Sequence, residues 1–279
     1  MRRDESNVDL EQKEYRKMMV NNLTAKVTHN ARRMNNMHVK ETEDLVRVDS
    51  GIPTYNFNII TLPEQGKTPS KDTIKKEMDH FNDKDFPINM WCWEDEKETR
   101  EIIHDIGLTE YHTPYIGMVA ELKDQQISIQ DRDDLILKEI STENEAQQFG
   151  NIIANLYENP EPQYIQTYFS KITDLLLDRS SPYKPYVGIY QGEVVSTGSL
   201  MFTDTTVGMY DIATIPEVRG KGIGTALIQY LLHDAKENNG EYCVLQASPE
   251  GKGIYERAGF QSIGNLKIYE NTELVGVPT

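Results

Sequence analysis

Apolar residues along the chain fall into two rhythms, helical steps of three and four residues and short strand-like runs, and the series occurs twice. In 10–36, Leu10, Tyr15, Met18, Met19, Leu23 and Val27 stand at helical steps, which predicts an amphipathic helix. A turn at Ser50-Gly51-Ile52-Pro53 precedes an apolar run over 55–62 that predicts a strand. Thr68-Pro69-Ser70 sets up a helix start, with Ile74, Met78 and Phe81 as the apolar stripe. Residues 86–93 predict a short aromatic strand, 96–106 a helix stopped by Gly107, and 115–122 a further strand. The polar stretch 123–134 is the expected linker, with a boundary near 131–134.

The second series predicts a strand over 135–140, helices over 143–157 and 162–177, and a turn over 180–185. Strands follow at 186–190, 193–203 and 207–215, the first two joined by Gln191-Gly192. A helix over 222–238 places Leu227, Ile228, Leu231, Leu232 and Ala235 on one face. A buried strand over 242–247, a short helix over 252–258 and a last strand over 261–270 complete the series. The expectation is an α/β chain of two halves, 1–130 and 131–279.

Composition narrows the function classes. The chain has 279 residues, and 29 Lys and Arg against 45 Asp and Glu give a net charge of −16. Such a balance argues against general nucleic-acid binding, which needs a surplus of cations along the phosphate backbone, and against anionic membrane surfaces. No run approaches the roughly 20 apolar residues of a membrane span, and no apolar segment of a secretory signal follows the charged start. Cys92 and Cys243, far apart and in apolar surroundings, read as buried thiols of a reducing compartment, hence a cytoplasmic protein. The Asn22-Leu23-Thr24 sequon is then a chance match. The six histidines show neither metal spacing nor pairing with a nucleophile, so no metal is expected. Trp91 and Trp93 share a strand face; core packing and a substrate cage are both open to them.

The most informative segment is Pro216 to Thr225, where a predicted strand runs into Arg219-Gly220-Lys221-Gly222-Ile223-Gly224-Thr225 and an amphipathic helix begins. Three glycines let a backbone approach closely, successive N–H groups converge, and a helix N-terminus adds partial positive charge; Arg219 and Lys221 add full charges. The loop suits a pyrophosphate. Its spacing is neither that of a P-loop nor the Gly-x-Gly-x-x-Gly of a dinucleotide fold. It is Arg-x-x-Gly-x-Gly, followed 36 residues after Arg219 by Tyr255-Glu256-Arg257-Ala258-Gly259-Phe260.

That pair of motifs resembles the GNAT acetyltransferase superfamily, and the likeness covers 135–270 in element order. Ile212 to Arg219 and Leu245 to Ser248 look like one bacterial subgroup, whose members carry a degenerate GNAT-like half before the active one. Ser50 to Pro53, Phe57-Asn58, Pro87 to Trp91, Gly107-Leu108 and Gly117-Met118 look like landmarks of that leading half, which lacks an Arg-x-x-Gly-x-Gly segment of its own. The resemblance implies an acyl-CoA N-acyltransferase (GNAT) fold on a mixed sheet in 131–279, with 1–130 as the degenerate half. It implies an N-acetyltransferase that uses acetyl-CoA as co-substrate and acts on a small-molecule or peptide amine, as a monomer or homodimer.

The same resemblance assigns roles. The N–H groups of Arg219, Gly220, Lys221, Gly222, Ile223, Gly224 and Thr225 would hold the coenzyme pyrophosphate. The backbone of Ala213, Thr214 and Ile215 would pair with the pantetheine arm as a further strand does. Tyr255 is the candidate general acid for the leaving thiolate, or an aromatic packed between helix and sheet. Asp211, two residues before Ala213 and so on its strand face, is the candidate base, with an ordered water chain or a plain polar network as alternatives. The acceptor pocket would be shaped by Asn151 to Leu177 and the tail after Glu270. A coenzyme-binding regulatory module without turnover is the competing class.

Overall fold

The computed structural model describes residues 5–62, 68–129 and 132–275. In chain order the elements are α1 (Glu5–Ala31), β1 (His38–Glu41), β2 (Val46–Asp49), β3 (Ile59–Thr61), α2 (Lys71–Asn82), β4 (Asn89–Trp93), α3 (Lys97–Asp105), β5 (Thr109–Glu110) and β6 (Tyr115–Glu121). They continue with β7 (Leu135–Glu139), α4 (Glu143–Ala154), α5 (Glu161–Lys171), α6 (Thr173–Leu176), β8 (Tyr183–Tyr190), β9 (Glu193–Thr203), β10 (Thr206–Thr214), α7 (Ile223–Glu237), β11 (Tyr242–Ala247), α8 (Lys252–Arg257) and β12 (Gln261–Glu270). By contacts the chain divides into two compact units, 1–119 with 246–252 and 261–279, and 120–245 with 253–260.

In the first unit β2 pairs antiparallel with β1 and β3, β3 runs parallel to β4, and β12 pairs antiparallel with β4, β5 and β6. The stripe expected after Ser70 is present. Ser70 caps α2 by accepting the Thr73 N–H, and Ile74, Met78 and Phe81 pack into a core with Ile60, Met90 and Ile103. Gly107, at φ +93°, ends α3 where a left-handed residue is required.

Several expectations shift. The first helix ends at Ala31, and a β1–β2 hairpin fills the following stretch. The strand expected over 55–62 contracts to Ile59–Thr61. Asn58 prevents its extension: its side chain accepts from Ser50 N–H and Oγ–H and donates to the carbonyls of Ile52 and Pro87, fixing an irregular turn. The strand over 261–270 forms as expected, but its ladder partners are β4, β5 and β6, so it belongs by contact to the first unit, outside the expected grouping 131–279. The expected linker residues Gln130 and Asp131 lie outside the described residues.

The second unit is a mixed sheet in the order β11-β10-β9-β8-β7, antiparallel except that β11 runs parallel to β10. The helix expected over 162–177 is broken at Ile172, at φ −101°, into α5 and α6. Helix α7 lies on β9: a Cβ at Gly198 would come within 2.8 Å of Leu231 and Ile212 side chains. Its inner face (Leu227, Ile228, Leu231, Leu232, Ala235) is buried as the periodicity requires.

Candidate functional site

The parallel ladder between β10 and β11 is short. Thr206, Val207 and Gly208 pair with Tyr242, Cys243 and Val244. Two further features shape the second half of β10. A β-bulge lies between Tyr210 and Ala213, where β10 carries one residue more than β9, and Asp211 within it adopts φ +56°. A non-glycine residue in that region stores strain, a feature that clusters at functional sites. The bulge breaks simple period-2 counting, yet the Asp211 carboxylate still lies on the face of Ala213: it accepts from Ser199, which shares its strand face with Thr197, the ladder partner of Ala213.

Beyond the bulge the ladder with β9 resumes at Ala213 opposite Thr197, and Ile215 N–H donates to Val195 O at 3.0 Å. Alternation then spends the N–H groups of Ala213 and Ile215 on β9 and turns those of Thr214 away from it. The Thr214 carbonyl accepts Arg219 Nε at 3.0 Å. Of the three residues expected to offer an open backbone, Thr214 therefore turns its N–H to the open edge, while its carbonyl is taken by Arg219.

A short 3-10 turn, Pro216–Val218, leads into the glycine loop. Gly220 and Gly222 have φ +78° and +77°, and a Cβ at Gly220 would meet nothing within 4 Å, so backbone conformation rather than space calls for glycine there. Gly222 is the N-cap of α7. It supplies no side-chain cap and no acidic residue follows in the first turn, so the leading N–H groups of the helix are left for an external acceptor. Arg219 and Lys221 are exposed beside this turn, and Lys221 Nζ lies 5.0 Å from the Tyr190 ring centroid. The sequence reading missed Arg132, whose Nη1 donates to the Lys221 carbonyl at 2.9 Å while its guanidinium pairs with Asp134. No local signal marks it, because the contact spans 89 residues.

Strand edge, helix start and α8 converge. A Cβ at Gly224 would stand 3.5 Å from Thr214 Oγ1 and 3.7 Å from Ile254 Cδ1, next to Tyr255 in sequence. Tyr255 is buried, and its ring meets Phe260 edge-on at 5.8 Å. Burial, reinforced by the neighbouring Cys243 thiol, pushes the phenol well above its ordinary range, so it stays protonated at neutral pH. Among the described residues none hydrogen-bonds the Tyr255 hydroxyl. A protonated, uncommitted hydroxyl is what a general acid requires.

Asp211 sits in a different setting. Its Oδ2 accepts Tyr183 O–H at 2.7 Å and Ser199 O–H at 2.5 Å, and both donors are buried. Thr197 Oγ1 donates to the Asp211 carbonyl at 2.8 Å, so both the carboxylate and the backbone of the bulge are held by hydroxyls. The tail after Glu270, expected beside the acceptor, packs within the first unit. Asn271 Oδ1 accepts Ile88 N–H at 2.7 Å, and its Nδ2 donates to Asn82 and Phe86 oxygens. Residues 276–279 of that tail lie outside the described residues. Among the described residues no group of three or more His, Cys, Asp or Glu could hold a metal ion, and no helix is long and apolar enough to cross a membrane.

Comparison with known proteins bears on this geometry. A GCN5-related N-acetyltransferase from Kribbella flavida superposes with a TM-score of 0.66 at 14% identity, covering 90% of this chain and 95% of that one. A GCN5-related N-acetyltransferase from Sphaerobacter thermophilus gives 0.59 at 10% identity over 83% and 81% of the two chains. A tandem GNAT protein from the clavulanic acid biosynthesis pathway gives 0.59 at 10% identity over 88% and 86%. These likenesses establish the fold. No curated protein matches the sequence. The family described as the acetyltransferase (GNAT) family matches residues 147–260. That segment, which contains the bulged strand, the glycine loop and Tyr255, is similar to the acetyltransferases of the GNAT family.

Proposed function

We propose that the chain is an acetyl-CoA-dependent N-acetyltransferase, moving the acetyl group to an amine of a small molecule, peptide or protein by direct attack through a tetrahedral intermediate. The observation that carries this reading is the convergence of the glycine-capped start of α7 with the Thr214 edge of β10. Residues 131–279 would be the catalytic half and 1–130 a degenerate GNAT-like half without a loop of its own. Two buried free thiols and an acidic balance suit a reducing, bacterial cytoplasm.

The roles follow from the chemistry of thioester aminolysis. N–H groups from Arg219 to Thr225, with the charges of Arg219 and Lys221, receive the pyrophosphate of the co-substrate. Arg132 braces the loop through the Lys221 carbonyl. Thr214 pairs with an amide of the pantetheine arm between the flanking Ala213 and Ile215, which aligns the thioester along β10. The amine nitrogen attacks the acetyl carbon, the C–S bond breaks, and Tyr255 gives its proton to the departing thiolate. The proton lost by the amine passes to Asp211 directly or through water. The alternative role for Asp211, a purely structural anchor of the bulge, is favoured by its two hydroxyl donors. Asp211→Asn separates the two, since loss of a base lowers kcat at neutral pH whereas an anchor alone leaves it unchanged.

Thiol release from acetyl-CoA with a panel of aliphatic, aromatic and peptidyl amines tests the reading. Amine-dependent release is the expected result. Tight coenzyme binding with no release for any amine would instead support a regulatory coenzyme-binding protein.

A further inference from the structure

The first unit contains a cavity that the acetyl-transfer reading does not use. Strands β3 and β4 pair in parallel only at Ile59 with Asn89 and Ile60 with Met90. Past that point a cavity of about 340 Å³ is lined by Met19 and Leu23 of α1, Trp91 and Trp93 of β4, Leu266 of β12, and Gln246, which groups with the first unit. Its volume is at the small end of the range of ligand sites, and its lining combines this apolar and aromatic wall with Thr61, Thr68, Glu96, Lys97, Glu98 and Thr99.

Two buried N–H donors of this lining stand out. Trp93 Nε1 and Gln246 Nε2 are buried and have no hydrogen-bond partner among the described residues. Trp93 is 2% exposed. Two unmet N–H donors facing one cavity lining are costly, because each forfeits its hydration without replacement, at about 1–3 kcal/mol for a typical group. Two neighbouring polar groups of the wall are committed. Trp91 Nε1 donates to Asn89 Oδ1 at 2.6 Å, and Cys92 Sγ–H donates to Glu96 Oε2 at 3.2 Å. Burial and the Glu96 carboxylate also push the Cys92 thiol up, so it is no nucleophile at neutral pH.

The seat of Trp93 is itself enforced. A Cβ at Gly117 would fall 2.8 Å from both Met19 Cε and Trp93 Cη2, and the Arg16 guanidinium lies 4.4 Å from the Trp93 ring centroid. Helix α1 is tied to the same wall by Arg16, whose Nε donates to the Ile263 carbonyl at 3.0 Å. The indole is thus held in one position with its N–H unspent.

We propose that this cavity is a non-covalent binding site for a small uncharged molecule with an aromatic or branched apolar body and a carbonyl oxygen that accepts from Trp93 Nε1 and Gln246 Nε2. The apolar body fills the space between the tryptophans and Met19, Leu23 and Leu266. An anion is a poorer fit, because both donors are neutral and the cavity lining carries two carboxylates, Glu96 and Glu98, against one cation, Lys97.

The chain contains two tryptophans, and both line the cavity, so tryptophan emission, excited selectively over the 15 tyrosines, reports on this site alone. The experiment titrates the full chain with benzamide, and with toluene as the equally aromatic probe that lacks a carbonyl. Expected is a saturable fluorescence change with benzamide, at a dissociation constant of the order of millimolar for so small a ligand. Toluene binds more weakly. Trp93→Phe, which keeps a ring and leaves Trp91 as reporter, and Gln246→Met, which keeps both tryptophans, each weaken benzamide roughly three- to tenfold. Gln246→Met, which leaves the tryptophan wall intact, does not change the affinity for toluene. Two variants guard against a folding defect in one, and unchanged melting temperatures qualify each. Linear, non-saturating quenching by benzamide would overturn the proposal, with water as the cavity's only occupant. Equal affinity for both probes, or variants that bind benzamide as the wild type does, would also overturn it.

Discussion

Replacing Tyr255 by Phe separates the two roles open to that residue. The substitution removes one hydroxyl and keeps the ring that packs edge-on against Phe260. Among the described residues no group bonds the hydroxyl, so its removal strands no partner there and the melting temperature should stay level or rise slightly. If the ring only packs, turnover is preserved as well. If the hydroxyl protonates the leaving thiolate, general-acid loss lowers kcat by about 10²-fold, equivalent to about 2.7 kcal/mol in the barrier. The effect belongs in kcat, with KM for acetyl-CoA nearly unchanged, because the proton moves only as the C–S bond breaks. The raised pKa adds a second readout. Burial keeps the phenol protonated above its ordinary value of 10.0, so loss of this acid should cause no falling limb in wild-type kcat between about pH 7 and 10. The assay is continuous thiol detection with the best amine of the panel, across that pH range. A Tyr255→Phe enzyme within twofold of wild type at every pH would refute the acid role and leave packing as the explanation.

Three other outcomes follow from the structure. Arg132→Ala removes the donor to the Lys221 carbonyl and should raise the dissociation constant for acetyl-CoA by roughly three- to tenfold, without a loss of thermal stability beyond its exposed ion pair with Asp134; unchanged affinity by calorimetry would remove the bracing role. Gly117→Ala forces a methyl against Met19 and Trp93 and should cost about 1–3 kcal/mol in urea unfolding while shifting tryptophan emission; neither change would mean that the wall yields freely. Burial raises the phenols of Tyr183 and Tyr210 and the thiol of Cys243 above their ordinary 10.0 and 9.0. The folded chain holds these protons more tightly than the unfolded one, so this stability is complete below about pH 9 and is lost as pH rises beyond it. The urea midpoint should hold from pH 7 to 8.5 and fall by pH 10.5, and a flat profile to pH 10.5 would contradict the assignment.

The parts of the site that depend on local conformation were legible in the sequence. Gly220 and Gly222 occupy left-handed positions, and a strand, loop and helix in that order leave little else for Arg219 to Thr225 to form. Tyr255 was legible through its spacing to Phe260, which the two rings now explain by packing against each other. What the pattern did not carry is long-range or insertional. The one-residue bulge at Asp211 has no hydropathy signature, and the face shared with Ala213 is held there by the Ser199 and Tyr183 hydroxyls rather than by simple alternation. Arg132 reaches the loop across 89 residues. The partners of β12, in β4, β5 and β6, lie 140 or more residues away, and a local apolar run specifies a strand without naming its neighbour. The β1–β2 hairpin escaped because each strand has four residues, two of them charged in Val46–Asp49, too short for a periodicity to register.

The central claim is that the glycine-capped start of α7 and the Thr214 edge of β10 receive acetyl-CoA. Calorimetric titration of the full chain with acetyl-CoA, beside free coenzyme A and a Gly222→Glu variant of verified folding, tests it most directly. Glutamate at a left-handed N-cap strains the loop and places a carboxylate where the pyrophosphate must sit. The account predicts saturable binding of both coenzymes at about micromolar affinity and its loss in Gly222→Glu. Binding that survives the substitution, or a wild-type chain that binds neither coenzyme, would contradict it.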